Sequence, residues 1–388
     1  MTKSIYNEIQ EKIEYYNLYN TIYLKINLIP NDQENPYKPY TIIGIDIEYN
    51  NSENKQLNKE YEEIVETLNK KIDIDQKRHK KEWQLFYLIK EILQESENID
   101  TCTFNYFRGQ RSDWPMLPGI LRSDISTELK TNFEQIYKKI AYNYPEELDY
   151  IPYSKDNRMD RARQLSILQH YGMKTSLLDI TKNPYIALLF IFSVSNKYKL
   201  RKPRLELYSI DEEEHFDKHL FMRVQKDLNN KRIEAQKGAF LNYDFLYDLN
   251  HTDVKKMNRV VIKMEFDKIE YAKRLQEDLK LAQEMIEEYN NSQNKKESQL
   301  EIIKNFVEDL KRKIDSFNEI LQLDENVKID EDKQLFKEGY EELRREMLTK
   351  LREYHYFENH LYPDLDKQID FMVSKYSDET KKEFIDDI

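Results

Sequence analysis

Residues 17 to 50 alternate apolar and polar side chains around Pro30-Asn31-Asp32, so Tyr23-Leu24-Lys25-Ile26-Asn27-Leu28 and Thr41-Ile42-Ile43-Gly44-Ile45-Asp46-Ile47 read as two strands joined by a loop. Two helices follow over about 53 to 72 and 80 to 96, the second carrying Trp83, Phe86, Leu88 and Ile92. This region, 1–100, is a small α+β lead-in without visible chemistry. From Thr101 the texture changes. Cys102 to Phe107 predicts a short strand ending at Arg108-Gly109, and Pro115, Pro118 and Gly119 force a loop. Helices are expected over about 126 to 144 and 158 to 171, a short strand over Thr175 to Leu178, and further strands over 203 to 210, 232 to 241 and 258 to 266.

Between 268 and 322 the period is helical and long. Ala272, Leu275, Leu279, Ala282, Ile286 and Tyr289 step by 3 and 4, and after the polar break at 290–296 Leu300, Ile303, Val307, Leu310, Ile314, Phe317 and Leu321 repeat the step. That is a/d spacing, and a turn between two such arms predicts an antiparallel coiled-coil hairpin, a stabilising or dimerising insertion. A charged helix over Lys333 to Glu353 follows. The expected division is 1–100, then 101–267 with 323–388, interrupted by the hairpin 268–322. The fold class is α+β with a mixed sheet.

Composition narrows this picture. The 388 residues have length for a real core, and 39% hydrophobic with 12% aromatic content is too much for a disordered chain. One cysteine excludes a disulfide framework and fits a reducing, cytoplasmic setting. No signal peptide is visible at the N-terminus, and the longest apolar run, Tyr185 to Val194, is too short to cross a bilayer. A net charge of -12 argues against duplex DNA as a general partner, though not against a small nucleotide in a local basic pocket. His215 and His219 have i,i+4 spacing, but without cysteine or a third histidine nearby no metal is expected. The basic run 197–204 reads as a helix-end complement.

Only 6 glycines occur, and four of them, Gly109, Gly119, Gly172 and Gly238, punctuate the stretch from 103 to 240. Arg108, followed by Gly109-Gln110, offers a forked donor suited to phosphate or carboxylate, with an ion pair to Asp113 or Asp179 as the structural alternative. Gly172 stands where a helix ends, Thr181 and Asn183 are capping residues, and Pro184 opens a buried helix over 184 to 195. His170 beside that glycine is a candidate base or ligand contact, or else a cap. Strand alternation over 232–240 places Arg232, Glu234 and Gln236 on one face.

Phe107-Arg108-Gly109-Gln110, Asp113-Trp114 with Leu117-Pro118 and Arg122, and Gln169-His170-Tyr171-Gly172 with Thr175 and Leu177-Leu178-Asp179 together resemble the FRG domain. Gln236-Lys237-Gly238-Ala239-Phe240 and Tyr362-Pro363-Asp364-Leu365-Asp366 fit the same family, which extends the likeness over roughly 100 to 370. Ser176 stands where the family more often has Arg, and Ile180 where it more often has an aromatic. The resemblance implies a bacterial or phage-associated defence or toxin effector. A more distant likeness to arginine-type mono-ADP-ribosyltransferases implies a matching fold and NAD as substrate. On that likeness Arg108 holds the NAD phosphates, Thr175 or Ser176 props the nicotinamide ribose side, and Glu234 or Gln236 bonds the ribose hydroxyl, with Gly109, Gln110, Tyr171 and Asp179 as further cofactor contacts and His170 as a further candidate catalytic residue. The alternative is a nucleotide-binding sensor in a defence system that performs no chemistry. A phosphodiester-cleaving enzyme with His170 as base is weakened by the lack of a second histidine or metal cluster.

Overall fold

The computed structural model describes residues 4–16, 18–30, 39–50, 52–77, 83–193, 200–215, 220–223, 236–249, 256–291, 297–322, 330–361, 368–369 and 372–373. The described strands are β1 (Tyr19–Pro30), β2 (Tyr40–Asn50), β3 (Tyr106–Gln110), β4 (Leu177–Thr181), β5 (Arg204–Ser209), β6 (Phe221–Met222), β7 (Gly238–Asn242) and β8 (Met257–Phe266). They form one eight-stranded sheet in the order β2-β1-β8-β5-β3-β4-β7-β6. β1 and β8 run parallel and the other neighbours run antiparallel, so the sheet is mixed, in line with the α+β class. The ten-residue ladder from Tyr19↔Met257 to Leu28↔Phe266 carries the N-terminal strands into the same sheet as the rest. The expected boundary at residue 100 is therefore not a break in the sheet.

Helices cover both faces. On one lie α2 (Lys55–Lys77), α3 (Leu85–Glu97), α6 (Pro184–Phe192), α7 (Lys268–Asn291) and α9 (Asp330–Glu353), sharing a core with Ile22, Leu24, Leu205, Leu207, Val260 and Ile262. On the other lie α1 (Ile5–Tyr15), α4 (Thr127–Asn143) and α5 (Arg158–His170), around Tyr6, Phe133, Leu165, Tyr106 and Tyr208. α8 (Glu297–Gln322) packs on α7.

Three strands begin later than local pattern predicts, each for a non-local or side-chain reason. β3 runs from Tyr106 because its ladder to β5 spans Tyr106↔Tyr208 to Gln110↔Arg204, which places Arg108 in mid-strand rather than at its end. β4 starts at Leu177 because the Leu177 amide donates to Thr175 Oγ1 (3.2 Å), a local turn that holds 175–176 out of the ladder. β7 starts at Gly238 because Lys237 sits at φ 47, so Gln236 lies in a turn and not on a strand. Residues 232–235, including Arg232 and Glu234, lie outside the described residues, as do His219 and 362–366.

The long helical period resolves into α7 and α8. Leu275, Ala282, Val307 and Leu310 are buried, while Leu281, Met285, Ile302 and Phe306 face outward. Tyr271 and Leu275 also belong to the main core, where the Tyr271 ring meets Phe336 edge-on. The base of the arm is thus part of the fold's own packing. Leu275→Ala is expected to cost about 2–5 kcal/mol in denaturant melts, because it empties a packed site. Leu281→Ser, at 57% exposure, should stay within about 0.5 kcal/mol. Equal effects would contradict this division of the arm.

Candidate functional site

β3 and β4 are joined by the single pair Phe107↔Thr181, whereas β3 and β5 share five pairs from residue 106 to 110. At this thin seam a cavity of about 320 Å³ opens, bordered by Arg108, Gln110, Arg111, Trp114, Arg122, Gln169, His170, Asp179 and Gln236 among others. The helix α6 supports the seam from behind. Asn183 caps it, its Oδ1 accepting from the amides of Tyr185 (2.9 Å) and Ile186 (3.3 Å), and Pro184 fills the first turn as expected. α6 lies so close to β3 that a Cβ on Gly109 would stand 2.0 Å from the Ala187 carbonyl oxygen and 2.7 Å from Ile191 Cγ1. Gly109 borders the cavity, but the contact that demands glycine is this helix, not a bound cofactor.

Arg108 is half-buried. Its Nη1 donates to the main-chain carbonyl of Asp179 at 2.6 Å, and its Nε is buried without a hydrogen-bond partner among the described residues. Of the two carboxylates expected as alternative ion-pair partners, Asp179 meets Arg108 through its main-chain carbonyl, and Asp113 pairs with Arg204. That side chain, buried on β5, donates from Nε to Gln110 Oε1 (2.6 Å), from Nη1 to Asp113 Oδ1 (2.5 Å) and from Nη2 to the Trp114 carbonyl. It also lies 3.0 Å from Glu206 Oε1. Arg204 thus pins the 110–114 loop over the cavity, which explains why Gln110, Asp113 and Trp114 occur together. Gln110 is a loop anchor whose carbonyl oxygen is already taken. Arg111 and Arg122 also border the cavity; Arg111 Nη2 donates to Ser193 Oγ (2.7 Å) and Arg122 Nε to the Leu117 carbonyl (3.3 Å).

The opposite wall comes from the end of α5. Gly172 adopts φ +95, its amide bonds the Gln169 carbonyl (3.0 Å), and the Met173 amide bonds that of Leu168 (3.0 Å). This is a Schellman cap, and it stops the helix with Gln169 and His170 on the cavity wall. His170 is buried, its ring edge-on to Tyr171 at 5.1 Å. Gln169 Nε2 donates to both carboxylate oxygens of Asp179, at 2.9 and 3.0 Å, and Thr175 Oγ1 donates to Gln169 Oε1.

Three expected contacts fall elsewhere. Tyr171 does not border the cavity and is 68% exposed. Thr175 is buried and reaches the space only through Gln169. Ser176 is fully buried, bonded toward Asn242 Oδ1 (3.5 Å) and the Tyr6 hydroxyl, in the core beneath α1. Gln236 does border the cavity, but its Nε2 donates to the Leu361 carbonyl (2.9 Å) and its main-chain carbonyl accepts from Thr181 Oγ1 (2.7 Å), which makes it a tie to the C-terminal segment. His215 acts as a local cap: its Nδ1 accepts from the Asp211 amide (2.8 Å), and burial holds its pKa below the ordinary histidine value. Arg111, Arg122 and Arg204 escaped prediction as site residues. Of these only Arg122 carried a hint, its place in the Trp114–Arg122 block.

These features define an α+β protein with an arginine-rich cavity at a seam of its central sheet. Residues 104–200 match the family model of the FRG domain, so the chain carries an FRG domain over that stretch. The match ends before Gln236 and the 362–366 block, short of the extent the motifs implied. No curated protein and no solved structure matches the chain. Among the described residues no helix is long and apolar enough to cross a membrane.

Proposed function

We propose that the cavity is a binding site for a small phosphate-bearing ligand of nucleotide type. One observation carries the reading. Arg108, Arg111 and Arg122 all border one cleft, and Asp179 is the only carboxylate bordering it among the described residues. In a chain of net charge -12, three guanidinium groups beside one cavity form a local basic patch whose forked donors suit an anion. The volume, about 320 Å³, sits at the lower end of small-molecule sites, which run about 300–1,000 Å³. Trp114, Phe190 and Phe240 add planar or apolar wall for a base or other flat group.

ADP-ribosyl transfer from NAD is the second reading, and Asp179 favours it: a carboxylate beside Arg108 could stabilise the positive charge that develops on the ribose. Gln236, neutral and tied to Leu361, supplies less. A defence or toxin effector, as the FRG resemblance implies, accommodates both readings.

Calorimetric titration of the full chain with inorganic pyrophosphate, nucleoside mono- and diphosphates and NAD separates them. Binding of at least one phosphate-bearing compound is expected. Arg108→Ala should weaken it about 10- to 100-fold, since a charge-assisted hydrogen bond contributes about 1.5–3 kcal/mol. Tm should move little, because Arg108 makes one bond to a carbonyl. No anion binding at millimolar concentration would end the proposal, as would unchanged binding by Arg108→Ala. Release of nicotinamide from NAD would promote the transferase reading.

A further inference from the structure

We infer that Glu206, a residue that does not border the cavity, positions the cavity's rim. It holds both anchors of the loop that leads from β3 to Pro118, and that loop carries Trp114. Glu206 thereby sets the preference of the site for a nucleotide over bare phosphate, a consequence that rests on the anion-binding reading above.

Glu206 lies within β5, fully buried and opposite Arg108 in the ladder to β3. A carboxylate in the interior is costly unless charges or donors face it. Here they come from both neighbours on the same face of the strand. Two residues earlier, Arg204 brings its Nε to 3.0 Å from Glu206 Oε1. The proton on that Nε goes to Gln110, so the contact with Glu206 is one of charge. Arg204 is the first anchor of the loop, through Gln110, Asp113 and the Trp114 carbonyl.

Two residues later, the Tyr208 hydroxyl donates to Glu206 Oε2 and lies 2.8 Å from Met116 Sδ. Burial, and after it the Glu206 charge, push the Tyr208 pKa well above the ordinary tyrosine value, so the hydroxyl keeps its proton for the carboxylate. The Met116 sulfur also accepts from Arg259 Nη1 at 2.7 Å, and the Met116 carbonyl from the Tyr243 hydroxyl at 3.3 Å. Burial works against the charge on Arg259, yet Glu206 and the nearby tyrosines outweigh it. Met116 is thus the second anchor. One carboxylate compensates both buried guanidinium groups, and Trp114, 38% exposed on the rim, has its backbone held between the two fastenings. Arg108 on β3 and Arg122 beyond the loop lie outside this span, and Arg111 has its own tie to Ser193.

The full-length protein carrying Trp83→Phe, which leaves Trp114 as the single indole, is titrated with inorganic phosphate and AMP. Adding Glu206→Gln should shift Trp114 emission to the red and raise its quenching by acrylamide before any ligand is present. AMP should then bind about tenfold more weakly, the scale of one disturbed base–aromatic contact, while phosphate affinity stays within about threefold. A merely structural role would lower both affinities together. Tyr208→Phe, which removes one hydroxyl and no charge, should move the same readings by less, and it carries the test if Glu206→Gln does not fold. Unchanged Trp114 emission and quenching in both variants overturns the inference. So does a constant AMP-to-phosphate ratio while both affinities rise, which would make Glu206 only a counter-charge beneath Arg108. If the parent protein binds neither compound, the anion reading falls by itself, and the Trp114 readings alone decide whether Glu206 positions the loop.

Discussion

Asp244→Ala is expected to destabilise the fold by about 3–5 kcal/mol, the range for stranding one member of a buried ion pair. Arg161 on α5 is fully buried, and its Nε donates to Asp244 Oδ2 at 2.9 Å. Its other nitrogens reach Glu134 Oε1 (2.5 Å) on α4, the Ile151 carbonyl (2.8 Å) and the Tyr6 hydroxyl (3.3 Å) on α1. Burial works against the charge on this guanidinium, yet Asp244, Tyr6 and Glu134 outweigh it and hold its pKa above the ordinary value. One side chain therefore fastens α5 to α1, α4 and the turn after β7. Because α5 ends on the cavity at Gln169 and His170, ligand affinity should fall along with stability. The check is the denaturant midpoint of Asp244→Ala beside that of the double variant Arg161→Met, Asp244→Leu. Apolar replacement of both partners should recover much of the loss, since neither charge is then left buried alone. A loss under about 1 kcal/mol in the single variant would show that Glu134 alone satisfies Arg161.

Gly109→Ala should be more damaging than its single added carbon implies. Overpacking a core typically costs about 1–3 kcal/mol when side chains can give way. Here the obstacle is main chain: the new Cβ would meet the Ala187 carbonyl oxygen at 2.0 Å and its carbon at 2.9 Å. Either α6 lifts off the sheet, uncovering Ala187 and Ile191, or β3 shifts and loosens its one pair with β4. We expect a loss above about 3 kcal/mol or failure to fold, measured by chemical denaturation against Gly172→Ala as control. Gly172 has nothing within 4 Å of its built Cβ, so that variant carries only the strain of φ +95, about 1–2 kcal/mol. Similar costs for the two would mean that α6 yields easily and that Gly109 serves the cavity side.

What could be read without coordinates was local. The Schellman glycine at 172, the Asn183 cap with Pro184 behind it and the helices over 127–143 and 158–170 are settled by groups within a few residues of one another. The 3.5-residue period of 268–322 foretold two packed helices, but not that Tyr271 and Leu275 would join the main core. Of the candidate site residues, Arg108, Gly109, Gln110, His170, Asp179 and Gln236 border one cavity, whereas Tyr171, Thr175 and Ser176 do not and Glu234 lies outside the described residues.

What each of them does there is a different matter. Arg108 bonds across 71 positions to Asp179, Arg204 across 94 to Gln110, and Gln236 across 125 to Leu361. Those partners depend on strand order and register, which place β5 and β4 on either side of β3, and no spacing along the chain encodes that. Capping and turn signals act through backbone groups a few residues apart, so the chain alone determines them. The aim of a guanidinium and the need for a missing Cβ depend on which element lies opposite, and the packed sheet alone decides that.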